Sequence, residues 1–339
     1  VDGWREKRVL ITGVCGTVGR ELLSQVVAQG PGEVTGLDNN ESELFFLNEE
    51  YREDSRVRFS LGDLRDRDSL IRKTQGVDVI LHAAALKHVL LCEESPRDAV
   101  QTNIIGTQNV IDAALQNDVE RVLFTSSDKA VNPTNVMGTS KLMGERLMTA
   151  ANAVRRGERP IFASTRFGNV LGSRGSVIPI FKRQIKKGGP VTLTDPEMTR
   201  FIMTLEEAVR LVMESVFLAM GGEVFVTKMQ VLRIADLAEV MSEELSPDGP
   251  VPVKVIGSKA GEKLYEELMN DEETRRTLEL QRYFVVVPAF KSLYTDVEYS
   301  YPGVEAKDVD RPYNSANEKP MRREALREYL RRHRLLEGE

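Results

Sequence analysis

The residues best suited to chemistry are gathered between positions 125 and 141. The apolar run Arg121 to Phe124 ends in three hydroxyls, Thr125, Ser126 and Ser127, and then an acid–base pair, Asp128 and Lys129. A helical stretch follows that carries Lys141, with Met137 four residues before it and so on the same helix face. Hydroxyls and an ion pair directly after a core strand place proton-transfer groups at the carboxyl edge of a sheet, where α/β folds bind their ligands. Two bland readings stand beside this one. Asp128 and Lys129 could form a surface ion pair on a loop, and Met137 could be a packed core methionine of an inactive site.

The segments that must hold these groups alternate between strand and helix. Strands are expected at Arg8 to Thr12, Glu33 to Asp38, Val57 to Leu61, Val77 to His82 and Glu120 to Phe124, with helical periods such as Arg20 to Gln29 and Ala99 to Asn117 between them. This alternation predicts an α/β protein built on a Rossmann-type, doubly wound parallel sheet. After about residue 165 the regularity breaks, Gly and Pro become frequent from Gly168 to Pro196, and helices return at Leu205 to Ala219 and Ile234 to Leu245. We therefore expect a nucleotide-binding domain over 1–170, with 201–227 returning to it. A smaller C-terminal substrate-binding cap is expected over 171–290, and a charged tail over 291–339 ending in the amphipathic helix Arg322 to Leu336.

The first strand runs into Gly13-x-x-Gly16-x-x-Gly19 and opens a helix. Glycines there let the backbone turn tightly and approach a pyrophosphate, which the helix N-terminus meets with unpaired N–H groups. Thr17 and Val18 lie inside this loop. Asp38 follows Gly19 by 19 residues at the end of the second strand, where an acid accepts from adenosine ribose hydroxyls. With Asn39 and no Arg or Lys beside it, Asp38 would repel a 2′-phosphate, so NAD is favoured over NADP. After the third strand, Asp63, followed by Leu64, could bond the adenine amino group or cap the next helix. Ala83, Ala84 and Ala85 end the fourth strand with side chains small enough for the cofactor to pass. His82 reads as a buried, hydrogen-bonded histidine rather than a catalyst, and Phe167 and Phe201 as core.

Composition narrows the field. The chain has 339 residues, 41% hydrophobic and 29% charged, with a formal net charge of −6. That charge argues against nucleic acid as the main partner. Two cysteines and three histidines make neither a disulfide framework nor a metal centre. No apolar run reaches membrane-spanning length and the N-terminus does not read as a signal peptide, so a cytoplasmic protein is expected. The chain starts at Val1 rather than Met, which leaves room for an upstream segment such as a membrane region.

These motifs resemble the extended short-chain dehydrogenase/reductase superfamily, through the glycine triplet, the Asp63 turn, Ala83 to His88, Asn103 to Gly106 and the Lys141 helix. More narrowly, Lys87-His88, Ser127 to Asn135, Arg166 to Pro179, Met198 to Phe201 and Gly261 to Leu264 resemble the UDP-N-acetylglucosamine 4,6-dehydratases of polysaccharide and glycan biosynthesis. The resemblance runs from about residue 7 to 270. Soluble members usually carry Tyr where this chain has Met137. The Met form resembles a branch whose members often have an N-terminal membrane region, and we read it as retaining the C5 configuration.

The resemblance implies a cycle in which C4 is oxidised by NAD, water is eliminated across C5 and C6, and hydride returns to C6. It implies cofactor contacts by Lys87, Asn103 and Lys141. It also implies contacts to the nucleotide sugar by Asn169, Ser173, Arg174, Ser176 and Val177, while Lys87 and His88, just beyond the fourth strand, could reach the sugar or phosphate and Glu262 could accept from a ribose hydroxyl. Arg174 and Arg200 would offer forked donors to the pyrophosphate. Without a phenol at 137, Ser127 would relay the C4-hydroxyl proton towards Asp128 or solvent, and Asp128 would protonate the leaving 6-oxygen. Lys129, held neutral part of the time, would remove the C5 proton. A sugar-nucleotide epimerase and a non-catalytic NAD-binding scaffold are the competing readings. A homo-oligomer, at least a dimer paired through helices Ala99–Asn117 and Gly138–Arg155, is expected.

Overall fold

The computed structural model describes residues 2–155, 157–173, 175–257, 261–290 and 297–337. Six strands, β1 (Arg8–Thr12), β2 (Glu33–Asp38), β3 (Val57–Leu61), β4 (Val79–His82), β5 (Arg121–Thr125) and β6 (Ile161–Arg166), form the first half of one sheet. Strand β10 (Val224–Thr227) joins beside β6, so that seven parallel strands run in the order β3-β2-β1-β4-β5-β6-β10. The order reverses between β1 and β4, and the crevice at such a switch point is where these sheets take a ligand.

The period-two alternation of each strand divides its side chains between two cores. Val9, Ile11, Val79 and Leu81 pack under helices Thr17–Ala28 and Leu205–Leu218. Leu10, Ile80, Val122 and Phe124 face the opposite layer, with Val110, Met148 and Phe162. The fold is thus the doubly wound α/β arrangement expected, and β1, β2 and β3 have the bounds expected from sequence.

Three features depart from the sequence reading. Strand β6 was not expected, because its second half, Ser164-Thr165-Arg166, reads as polar although it is buried. The predicted helix Ala99 to Asn117 is instead Pro96–Ala99, a π-helical stretch Val100–Ile105 and Gly106–Gln116. The third concerns residues grouped with the cap. Antiparallel strands β14 (Thr277–Leu280) and β15 (Tyr283–Val286) extend the main sheet beyond β10, and β16 (Val304–Ala306) closes that edge.

What remains of the cap holds a three-stranded sheet of β7 (Asn169–Val170), β9 (Thr199–Met203) and β11 (Gln230–Arg233), and a pair of β8 (Val191–Leu193) with β12 (Val253–Val255). Its core joins helices Val177–Lys186 and Ile234–Leu245 to the C-terminal helix, whose Leu326 and Leu330 are fully buried. That last helix spans Arg323–Arg332, shorter than predicted. Strand β13 (Glu267–Met269) pairs with β17 (Tyr313–Asn314), which brings the tail back against the cap. No helix among the described residues is long and apolar enough to cross a membrane.

Candidate active site

A cleft of about 580 Å³ opens over the carboxyl ends of β1, β2, β4 and β5. Gly13, at φ +73°, lies so close to the chain after β4 that a Cβ there would stand 2.6 Å from Ala84 Cα. A Cβ on Gly19 would stand 2.1 Å from the Gly13 carbonyl oxygen. No side chain caps helix Thr17–Ala28, whose N-cap is Gly16, so its first N–H groups face the cleft. Gly13, Gly16, Thr17, Val18 and Gly19 line one wall, and Ala83, Ala84 and Ala85 the wall across from it. Asp38 and Asn39 line the far end. The Asp38 carboxylate is aimed by two backbone donors, Cys15 N at 2.9 Å and Asn40 N at 3.0 Å. This is a cradle for a dinucleotide with an unmodified ribose, and the donor set fits NAD.

Asp63 and Leu64 also line the cleft. The expected helix cap is not Asp63: Asp66 caps the next helix by accepting from Ser69 N. Asp63 is instead gripped by Arg65 through Nε at 2.9 Å and Nη2 at 2.6 Å, and that grip holds its carboxyl at about 2. Asn103, expected on the cofactor, does not line the cleft. It is 2% exposed, and its amide bonds both the N–H and the carbonyl of Leu86, and Ser140 Oγ. The π-helical stretch turns Asn103 inward, so it shapes the wall from behind. His82 is fully buried between Thr12 Oγ1 and Thr107 Oγ1, and burial, with Lys141 adding repulsion, pushes it down to about 3. Phe201 is core, but Phe167 is only partly buried and lines the cleft.

Ser127, Lys129, Met137 and Lys141 also line the cleft, as do Lys87, His88 and Ser173. Asn135 caps helix Val136–Val154, and Gly138 lets that helix abut the carbonyl of Lys129. Met137 is 4% exposed and packs with Cys92 and Ala99. Lys141 donates to the Thr125 carbonyl at 2.8 Å and lies 4.7 Å over the Phe124 ring. Burial pulls it down to about 8, against the pull of Glu145.

Ser127 Oγ donates to Asp128 Oδ1 at 2.7 Å, and Lys129 Nζ donates to the same oxygen at 3.0 Å. Asp128 is 1% exposed and lines neither cleft, so the pair is no surface contact, and Asp128 meets a ligand only through Ser127 and Lys129. Lys129 has a second carboxylate, Glu266 Oε1, at 3.3 Å. Burial opposes its charge, but Asp128 and Glu266 prevail and raise its pKa above the ordinary lysine value. Burial by itself therefore does not leave Lys129 neutral.

Lys129 also lines a second cleft of about 340 Å³, under the cap. Asn169, Ser176, Val177, Arg200 and Glu262 line it with Glu266. Ser176 Oγ is buried at the N-cap of helix Val177–Lys186, without a hydrogen-bond partner among the described residues. Arg174 lies outside the described residues. Arg200 does not offer an open fork. Its Nη1 donates to the Thr199 and Leu264 carbonyls, its Nη2 to that of Lys263, and its Nε faces Glu266 at 3.6 Å. Glu266 and the orphan hydroxyl of Ser126 were not singled out from sequence. The only local signal for Glu266 was its place just past the Gly261 to Leu264 string. Among the described residues, no group of three His, Cys, Asp or Glu could hold a metal.

Comparison with known proteins matches this geometry to a family. The family model described as polysaccharide biosynthesis protein matches residues 9–288. A Methanocaldococcus jannaschii protein described as an uncharacterized membrane protein is 45% identical over 97% of this chain and 96% of its own length. A UDP-N-acetylglucosamine 4,6-dehydratase (inverting) of Campylobacter jejuni is 36% identical over 88% of this chain and 87% of its own. A UDP-glucose 4-epimerase of Rickettsia rickettsii is also 36% identical, over 96% and 95%. The X-ray structure of Pen from Bacillus thuringiensis, 40% identical, superposes with a TM-score of 0.90 over 98% of this chain and 99% of that one.

Proposed function

This chain belongs to the polysaccharide biosynthesis protein family, and from that premise we propose that it is an NAD-dependent 4,6-dehydratase of UDP-N-acetylglucosamine. The product is a UDP-4-keto-6-deoxy-N-acetylhexosamine with the C5 configuration retained. One observation carries the reading: the dinucleotide cradle and the cap cleft meet at a single acid–lysine couple, with Lys129 in both walls.

The cradle would hold the cofactor through the Gly13–Gly19 loop, Asp38 and Lys141. The chemistry that NAD supplies when bound is reversible hydride acceptance, which makes C4 a ketone and the C5–H acidic. Ser127 takes the C4-hydroxyl proton and hands it to Asp128 along the bond they already share. Through the same serine, Asp128 returns that proton to the departing 6-oxygen, which leaves as water. Lys129, as the free amine, takes the C5 proton and gives it back to the same face, so the configuration is kept. Met137 takes no part in proton transfer. Ser176, Asn169 and Glu262 hold the nucleotide sugar in the cap cleft.

UDP-N-acetylglucosamine deuterated at C4 tests the reading by NMR. The expected product carries the deuterium in a new methyl group. The Rickettsia relative is the ground for the epimerase alternative. Inverted C4 without a methyl would establish that alternative, and unchanged sugar would leave a binding scaffold.

A homodimer paired through the helices about Val100–Gln116 and Val136–Val154 accounts for the exposed apolar side chains of Val100, Ile105 and Met143. Sedimentation at the mass of a dimer or larger is expected; a monomer at micromolar concentration would exclude the pairing.

A further inference from the structure

Glu266 has no part in the steps above, yet it is built into their centre. It is 3% exposed and lies in the wall of the cap cleft, just before β13. Its main chain is clamped by the tail: its N–H donates to Ser315 Oγ at 3.0 Å and its carbonyl accepts from Ser315 N at 2.9 Å. Its carboxylate therefore cannot swing away with a loop. Oε1 stands 3.3 Å from Lys129 Nζ and 3.6 Å from Arg200 Nε. Oε2 is buried and has no hydrogen-bond partner among the described residues. The charged groups facing it are Lys129 and Asp128 from the turn after β5 and Arg200 from β9.

One ammonium thus stands between two buried carboxylates. The dehydratase reading needs the Lys129 amine uncharged before it can take a proton from C5, and the resting arrangement favours the ammonium. The extra proton needs an acceptor within reach. Asp128 is nearer, at 3.0 Å, and its Oδ2 too lacks a hydrogen-bond partner among the described residues, but it must stay anionic to receive the C4-hydroxyl proton. That leaves Glu266.

Resting on the dehydratase reading, we propose that Glu266 is the positioning residue that stores the resting proton of Lys129 while Lys129 acts as the base. An N–H bond of the ammonium breaks and an O–H bond forms on Glu266, giving a neutral amine and a neutral acid. The reverse transfer restores the ion pair after C5 has regained its proton, and no other reactant is consumed. A water-poor site narrows the gap between the ion pair and the neutral pair. Burial accordingly raises the Glu266 carboxyl above the ordinary range, against the pull of Lys129 and with the push of Asp128.

A proton kept inside the pair makes turnover insensitive to bulk pH near neutrality. Glu266→Gln keeps the shape and removes the acceptor, so Lys129 must lose its proton to solvent. With UDP-N-acetylglucosamine, kcat of E266Q at pH 7 is expected to be at least about 100-fold lower, with KM nearly unchanged, and to climb about tenfold per pH unit above that. Reduced-nicotinamide fluorescence should build up in the variant, because oxidation at C4 does not need Lys129. In the ligand-free protein, 13C NMR of labelled lysine should show Lys129 titrating lower in E266Q, having lost one anion. Glu266→Asp, which keeps a carboxyl, should restore the flat profile at a reduced kcat. An E266Q profile parallel to that of the wild type, or an unmoved Lys129 titration, would overturn the proposal. A wild-type protein that forms no methyl sugar would overturn the dehydratase reading, and this inference with it.

Discussion

Lys129→Ala is expected to abolish formation of the 6-deoxy product, with kcat at least about 1,000-fold below wild type, because among the described residues no other amine lines both clefts. The same change strips the shared cation from Asp128 and Glu266 and so also costs stability. Lys129→Arg separates the two effects. A guanidinium keeps the charge between the carboxylates but does not lose its proton in a protein. It should therefore melt near wild type, retain NAD and still form no product. Turnover by Lys129→Arg within tenfold of wild type would remove the lysine as a proton carrier.

Arg166→Met should be the most destabilising single change outside the site. Arg166 is 2% exposed and forms two bidentate pairs, with Glu145 at 2.8 and 2.7 Å and with Glu273 at 2.8 and 2.9 Å. Removing it takes the bidentate cation from two buried carboxylates and leaves Glu273 with only Arg276, at 3.7 Å, a loss of about 3–5 kcal/mol and a fall in Tm of about 10 °C. The pH dependence has a definite sign. Despite burial, Arg166 holds the Glu273 carboxyl below its ordinary value. Its stabilising contribution is therefore complete above the unfolded-state pKa, and it fades as pH falls through the lower folded-state value. In Arg166→Met the unpaired acids gain by taking up protons, so the gap in Tm between variant and wild type should narrow as pH falls from 7 towards 4. Adding Glu145→Gln and Glu273→Gln to the variant should recover most of the loss. Calorimetry that finds the same gap at both ends of that range would contradict the assignment.

The same arginine explains part of what could not be read in the sequence. Strand β6 looked irregular because Ser164, Thr165 and Arg166 are polar, and the partners that make them acceptable inside the protein come from distant segments. By contrast, β1 is an apolar run that states its own burial, and the glycine spacing at Gly13, Gly16 and Gly19 is a local geometric demand that sequence records directly. The pairing of Ser127, Asp128 and Lys129 was legible because the three are consecutive. The charge on Lys129 was not, since its second carboxylate, Glu266, enters from the cap. Asn103 misled for a related reason. A π-helical stretch shifts the face on which its side chain falls, and nothing in the residue types announces that shift. Arg200 has the composition of an anion clamp, but three backbone carbonyls of its own neighbourhood claim its donors.

The interleaving of the two halves bears on how such a protein can be altered. The main sheet takes β10, β15 and β14 from chain that has already visited the cap, and the tail returns through β17 to the base of the cleft. The cap is therefore not a removable module. A fragment ending near residue 170 would leave the inner edge of β6 bare and inviting to other chains. New sugar specificities on this scaffold must then arise by rewriting short wall segments such as 176–181 or 261–266 in place, rather than by grafting a foreign lid.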